Sequence, residues 1–390
     1  MNNQTNKFIP ELRFPEFRNA ESWNEKTLEE VADYENGKAH EQDIDINGKF
    51  IVVNSKFIST DGEVKKYTKT AFCLAKKGDI LMVLSDVPNG RAIAKCFFVD
   101  KDDFYTVNQR ICKLTPRKAE GKLLFYLLNR SPYFLSFDDG VKQTNLKNED
   151  ILNYPLLLPI DPKEQQKIAS CLSTLDEVIL VNSQKLEALK THKKGLMQNL
   201  FPQEGETVPR LRFAEFVKDG EWVEMSFEQL FEIGNGRDYK HLSKGKIPVY
   251  GSGGYMLSVD NYLYNGESVC IGRKGTIDKP MFLTGKFWTV DTLFYTHSFK
   301  DCTPKFIYYI FQSIKWLRHN EAGGVPSLSK TNIYKIEVFI PKSNEQKKIA
   351  KCLSSLDTLI TIQAEKIEQL KLHKKGLMQG LFPSDQSLRT

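Results

Sequence analysis

The sequence predicts an α+β protein in which two α/β globules are joined by two long antiparallel coiled-coil helices, an internal duplication with pseudo-two-fold symmetry. Three observations carry this reading. Residues 164–202 align without a gap on 345–383 with 25 identities in 39 positions, ending in His192-Lys193-Lys194-Gly195-Leu196-Met197-Gln198 and His373-Lys374-Lys375-Gly376-Leu377-Met378-Gln379. A second repeat lies upstream at another offset, where Pro10-Glu11-Leu12-Arg13-Phe14 with Trp23 matches Pro209-Arg210-Leu211-Arg212-Phe213 with Trp222. Between these repeats the two halves share little, so a common frame has been kept around contents that diverged.

The order of elements follows from local patterns. Residues 1–160 form the first globule, with strand-like runs at 50–53, 79–84 and 92–99 and a late helix near 122–128. Residues 161–202 form the first long helix. Its apolar positions Ile168, Leu172, Leu175, Ile179, Leu186, Leu189, Leu196 and Leu200 alternate steps of three and four, the seam of a coiled coil. Asp161-Pro162-Lys163-Glu164 supplies a cap, a proline at the first helical position and a glutamate placed for a capping box, and Pro202 closes the helix.

Residues 203–341 form the second globule, with strands at 247–250, 268–271 and 287–290 and a late helix near 305–317. Residues 342–390 hold the second long helix and a tail. Its seam runs Ile349, Leu353, Leu356, Ile360, Ile367, Leu370, Leu377 and Leu381, and Ser343-Asn344-Glu345-Gln346 repeats the capping-box pattern.

One seam position in each helix is an amide, Asn182 and Gln363, and a buried amide selects register at some loss of stability. Lys193 and Lys374 also fall on the seam, close to Gly195 and Gly376. An interior helical glycine costs about 1 kcal/mol relative to alanine, so its recurrence points to a close backbone contact or to an opening of the seam. If the helices pair antiparallel, the scaffold is circular, and a permutant with joined termini opened at 203–208 should fold. Helices of this length span about 57 Å, more than one turn of B-DNA at ~34 Å.

Composition narrows the class. Hydrophobic residues make up 41% and charged residues 27% of 390, and no apolar run reaches membrane-spanning length. The opening Met1-Asn2-Asn3-Gln4 has no signal-peptide character, so a cytoplasmic protein is expected. Seven cysteines without a Cys-x-x-Cys pair argue against a disulfide framework and a thiolate zinc site, and Cys171 and Cys352 read as small buried neighbours of the seam. The net charge of +6 is mild and does not by itself establish a nucleic-acid partner.

The Glu-Gln-x-x-Ile-Ala-x-Cys-Leu-Ser run heading each helix, the Gly272-Arg273-Lys274-Gly275-Thr276 loop followed by Phe287-Trp288-Thr289-Val290-Asp291-Thr292, and the order globule, helix, globule, helix resemble a type I restriction-modification specificity subunit over residues 8–383. The resemblance implies that each globule is a target recognition domain and that the helices are spacers. It further implies double-stranded DNA, two modification subunits and the restriction subunits as partners. Because the globules differ, the implied DNA target is split and asymmetric.

Candidate DNA-binding residues follow from loop chemistry. Arg273, Lys274 and Thr276 offer two cations and a hydroxyl between glycines, suited to a phosphate, or Arg273 to guanine. Asn89 and Arg91, with Lys95 beyond, occupy the comparable loop of the first globule. Asn108, Gln109 and Arg110 align loosely with the segment of Asp291, and amides beside arginine suit adenine and guanine edges. Ser252 and Tyr255 sit on a glycine-rich loop. Ordinary loop and strand-edge roles stand beside each of these assignments.

No Gly-x-x-x-x-Gly-Lys-[Ser/Thr] loop, no Asn-Pro-Pro-aromatic element, no Gly-x-Gly-x-x-Gly and no metal-ligand spacing among the six histidines is present. No catalytic residue, cofactor or metal is expected, and His192 and His373 are better placed to meet partner subunits. The expected function is therefore sequence-specific DNA binding on behalf of methylating and cleaving subunits. The alternative is a coiled-coil adaptor for two protein partners, and a self-sufficient restriction enzyme lacks its motifs.

Overall fold

The computed structural model describes residues 8–383, which fall into two compact units: one comprises the chain up to Val181 and from Ile367 onward, the other Asn182–Lys366. In the first unit, Ala32–Asn36, Ile111–Pro116, Ile80–Val83 and Cys96–Phe98 form an antiparallel sheet in that spatial order. A second sheet orders Tyr67–Thr68, Phe50–Val53, Tyr105–Val107 and Leu74–Ala75, with its two central strands parallel. Ile80 and Met82 face one core and Leu81 and Val83 the other, so the strand is apolar without interruption because both its faces are buried.

The second unit repeats this topology. Glu232–Asn235, Leu293–His297, Ser268–Gly272 and Met281–Leu283 form the first sheet. Gly254–Val259, Lys244–Gly251, Lys286–Thr289 and Tyr264–Asn265 form the second, again with a parallel central pair. In both units a short opening strand pairs antiparallel with the strand that leads into a long helix: Asn24–Thr27 with Pro155–Leu158, and Val223–Ser226 with Glu337–Ile340. The globules thus share one fold despite their dissimilar sequences.

The long helices run Pro162–Leu200 and Ser343–Leu381. In the first unit Ile168, Ala169 and Leu172, at the start of one helix, pack with Leu377, Leu381 and Phe382 at the end of the other. In the second unit Ile349, Ala350 and Leu353 pack with Leu196, Leu200 and Phe201. Start meets end in each, so the pairing is antiparallel. Trp23 meets Phe382 edge-on at 6.4 Å, and Trp222 meets Phe201 in the same way at 6.4 Å.

The Glu-Gln pair heading each helix locks its globule in place. Glu164 accepts from Arg13 Nε and Nη2, both at 2.7 Å, and Glu345 from Arg212 Nε and Nη2, both at 2.8 Å. Gln165 donates to the Pro159 carbonyl and accepts from the Glu120 N–H. Gln346 does the same with Pro341 and Thr303. This corrects the expected capping boxes, because Glu164 turns to Arg13 and Gln346 to the Pro341 and Thr303 backbones. Asp161 does cap the first helix, accepting from the Lys163 N–H at 2.8 Å. The second helix begins at Ser343 itself, with the Lys342 carbonyl accepting from Gln346 N–H.

Four further expectations change. The late helix of the second globule stops at Ser313, Ile314 is extended, and a 3-10 turn covers Trp316–His319, where the buried Trp316 indole donates to the Phe311 carbonyl at 2.8 Å. The expected strand at 92–99 shrinks to Cys96–Phe98, because the Asp86 carboxylate takes the Ala92 and Ile93 N–H groups and Ala94 has φ +53°. Among the described residues a Cβ on Gly195 or Gly376 would meet nothing within 4 Å, so neither glycine serves a close contact there. Cys171 and Cys352 are partly exposed rather than buried.

The two seam lysines are paired instead of loosening the seam. Lys193 lies 2.6 Å from Asp357, and Lys374 lies 2.5 Å from Asp176. The second carboxylate oxygen of each aspartate accepts from a tyrosine of the late helix, Tyr309 and Tyr126, at 2.7 Å. Gln363 Nε2 donates to Asn182. Among the described residues no helix is long and apolar enough to cross a membrane, and no cluster of His, Cys, Asp or Glu is arranged to hold a metal.

Candidate functional site

The shared topology brings one set of loops together in each globule. The turn after the first edge strand is held by Gly37 N–H to Ile111 O and Lys38 N–H to Val107 O. Its counterpart uses Gly236 N–H to Leu293 O and Arg237 N–H to Thr289 O. A side chain has no room at Gly37 or Gly236, where a Cβ would come within 2.1 Å of Asn108 O and 1.8 Å of Val290 O. These bonds equate Val107 with Thr289 and Gln109 with Asp291. The loose alignment of the two segments is thereby shifted by one residue.

In the second globule two open hollows flank the 290–292 segment. The larger, about 710 Å³, is lined by Asp238, Lys240, Ser252, Tyr255, Asp291 and Thr292 among others. Tyr255 is 63% exposed, its hydroxyl meeting Ser258 at 3.1 Å and its ring standing edge-on to Tyr250. The smaller, about 390 Å³, is lined by Asn235, Arg273, Lys274, Ser327, Ser329 and Lys330 together with Glu321. Thr292 joins them, since its carbonyl accepts from the Arg273 N–H at 2.8 Å.

The glycine-flanked loop is held by contacts and bonds within its own globule. A Cβ on Gly272 would lie 2.1 Å from Thr276 O, and Gly275 has φ +86°. Both glycines let the loop fold on itself. Gly275 N–H bonds Pro326 O, Leu328 N–H bonds Arg273 O, and Lys274 bridges Ser327. Among the described residues no carboxylate lies within ion-pair distance of Arg273, Lys274 or Lys330. Burial, then the Arg273 guanidinium, pushes the Lys330 ammonium below its usual value. Glu321 is held below the usual carboxylate range by the Ser329 hydroxyl and N–H.

The corresponding loop of the first globule is differently built. Asn89, at φ +55°, donates to the Gly140 carbonyl at 3.1 Å, and Arg91 is exposed beside it. Lys95 does not join them, being tied to Asp61 at 2.8 Å and to the Ser59 carbonyl. Asn108 and Gln109 both donate to Glu41 Oε1, at 3.3 and 3.2 Å, while Arg110 is exposed. Glu41 is held low by its own N–H and by the Asn108 amide. Among the described residues the buried Asn108 Oδ1 has no partner.

Sequence reasoning named Arg273, Lys274, Thr276, Ser252, Tyr255 and Asp291 on separate loops; the structure places Ser252, Tyr255 and Asp291 around the larger hollow and Arg273 and Lys274 around the smaller. Sequence reasoning missed Asn235, Lys240, Lys330 and Glu41. Lys330 had a signal: it follows Ser327-Leu328 in the exit pattern repeated 182 residues apart. The other three carry none, because only tertiary pairing brings them near.

The family model for the type I restriction modification DNA specificity domain matches residues 20–191 and again 219–372. The MjaVIII type I restriction enzyme specificity subunit of Methanocaldococcus jannaschii is 23% identical over 428 residues, covering 96% of each chain. The MjaX specificity subunit of the same organism is 26% identical over 346 residues, covering 80% of this chain and 79% of its own. Among solved structures, the type I restriction-modification S subunit from M. genitalium superposes with a TM-score of 0.69 at 19% identity, covering 96% of this chain and 99% of that one.

Proposed function

We propose that this chain, which belongs to the type I restriction-modification DNA specificity family and is a specificity subunit, binds a bipartite, asymmetric DNA target, one half-site per globule, and scaffolds the modification and restriction subunits. The observation that carries the reading is a single topology bearing different chemistry at equivalent places. Gln109 stands where Asp291 stands, and Asn108 where Val290 stands. Amides suit adenine edges and a carboxylate suits the cytosine amino group, so one frame presents two readings.

The mechanism is positioning. Each globule would fix one half-site so that a partner methyltransferase can take its target adenine out of the stack. The long helices, each of 39 residues and about 58 Å in length, would set the distance between half-sites. The His-Lys-Lys-Gly-Leu-Met-Gln run occurs once near the end of each helix, with open space around Gly195 and Gly376. Two equal surfaces suit two copies of one modification subunit.

Co-expression with its modification subunit, followed by genome-wide mapping of N6-methyladenine, tests the proposal. A split asymmetric motif that disappears without this chain is the expected result. An assembled complex that adds no methylation would overturn it.

A further inference from the structure

The residues that line the small hollow of the second globule have equivalents of different chemistry in the first. The bonds Leu146 N–H to Leu84 O and Leu328 N–H to Arg273 O are equivalent, as are the pairings of Ser85 with Asn145 and Lys274 with Ser327. Arg273 therefore corresponds to Leu84 and Lys274 to Ser85. The offset of 182 that relates these partners places Lys330 opposite Asn148. Leu84 is buried, Ser85 accepts from Gln143 at 2.7 Å, and Asn148 accepts from the Tyr34 hydroxyl at 2.7 Å. Three cations in one globule stand where the other has an apolar group and two engaged neutral ones.

Those cations converge on a hollow of about 390 Å³ whose one acidic liner, Glu321, is occupied by the Ser329 N–H at 2.8 Å. The Arg273 backbone is pinned on both sides, its N–H bonding Thr292 O and its carbonyl accepting from the Leu328 N–H. Among the described residues no carboxylate pairs with Arg273 or Lys330 to offset their repulsion. Ser327 and Ser329 add polar groups to the rim. This is the chemistry of an anion site, and a phosphate diester fits its size and open form.

We propose that Arg273, Lys274 and Lys330 form a clamp for the DNA sugar-phosphate backbone that exists only in the second globule, and that Arg273 serves backbone positioning rather than base reading. The proposal rests on the DNA-binding reading above and adds an asymmetry to it. The second half-site is held through charge, whereas the first globule presents neutral groups at the same place. Neutralised phosphates release counterions, so the asymmetry is readable as salt dependence.

The test uses the full chain in complex with its modification subunits and a duplex bearing the methylation motif mapped for the wild type, with affinity followed by fluorescence anisotropy at several KCl concentrations. Lys330→Gln and the triple variant Arg273→Gln, Lys274→Gln, Lys330→Gln should lower the slope of log K against log salt, by about 1 for the single variant. The methylated motif should be unchanged at both half-sites. The reciprocal variant Ser85→Lys, Asn148→Lys, made in the first globule, should steepen the slope.

An unaltered slope for both loss variants overturns the clamp. An altered slope together with relaxed base preference in the second half-site returns Arg273 to base reading. If the wild-type complex neither methylates a motif nor binds duplex DNA, the functional reading itself fails and the clamp with it. Thermal unfolding of each variant separates loss of fold from loss of charge.

Discussion

The side-chain amide of Gln363 donates to both oxygens that Asn182 offers, the main-chain carbonyl at 3.0 Å and Oδ1 at 2.9 Å. Gln363 is buried, so the pair spends its polarity internally and marks one register of the seam. Gln363→Leu should destabilise the protein by about 1–3 kcal/mol, because it removes a donor from two oxygens. The double variant Asn182→Leu, Gln363→Leu should recover most of that loss. Denaturation of the four proteins in a double-mutant cycle measures it, and strictly additive losses would remove the pair's role in register.

Arg13 and Glu164 form a second such relationship across 151 residues of sequence. Glu164 is 1% exposed. Arg13→Met should cost about 3–5 kcal/mol by stranding a buried carboxylate, and Arg13→Met with Glu164→Met should lose far less. Arg212→Met should behave alike through Glu345. Urea unfolding monitored in each variant gives the answer. A loss under 1 kcal/mol for Arg13→Met would mean that water reaches the carboxylate.

The N–H of Leu12 donates to Gly380 O at 2.8 Å, as Leu211 N–H donates to Asn199 O at 2.8 Å. A Cβ at Gly380 would collide with the Leu12 side chain at 2.5 Å, so the opening segment is seated closely on the last helical turn. A permutant whose termini are joined and whose chain is opened within 203–208 should keep cooperative unfolding and helical content. Loss of both by circular dichroism would contradict the equivalence of these two junctions.

Seven residues inserted after Lys185 and again after Lys366 preserve the three-four alternation of the seam. They lengthen each helix by about 10.5 Å, close to three base pairs at ~3.4 Å each. The methylated motif should then widen its spacer by about three base pairs with both half-sites intact. An unchanged spacer would refute the role of the helices as a ruler.

Burial pushes the Cys73 thiol up to about 11 and those of Cys112, Cys270 and Cys302 up to about 12, and it raises Cys96 as well. A raised thiol value leaves less thiolate at a given pH, so at pH 8 the native protein should alkylate first at the partly exposed Cys171 and Cys352. Labelling of Cys73 should accelerate roughly tenfold per pH unit toward its own value. Peptide mass spectrometry after timed iodoacetamide exposure reads both effects. Early modification of Cys112 would contradict the packing around it.

Much of the frame was legible in the primary structure because it is written locally. The three-four alternation of apolar residues marks each long helix whatever surrounds it, and 25 identities in 39 positions expose the duplication directly. The surface comprising Arg273, Ser252, Tyr255 and Asp291 was legible in part, since glycine-bounded loops rich in cations and amides stand out against strands. Lys95 misled because its proximity in sequence to Arg91 says nothing about Asp61, which holds it.

The sequence by itself determined two long helices with coiled-coil seams, two α/β globules and the absence of recognised catalytic motifs, all properties of short-range pattern. Only the tertiary structure decided that the globules share a topology, that Gln109 answers Asp291 and Leu84 answers Arg273, and that Glu164 faces Arg13. Those facts depend on hydrogen bonds between residues far apart in the chain. In a sheet a one-residue change of register turns every side chain to the opposite face, and no local pattern in two diverged globules sets that register.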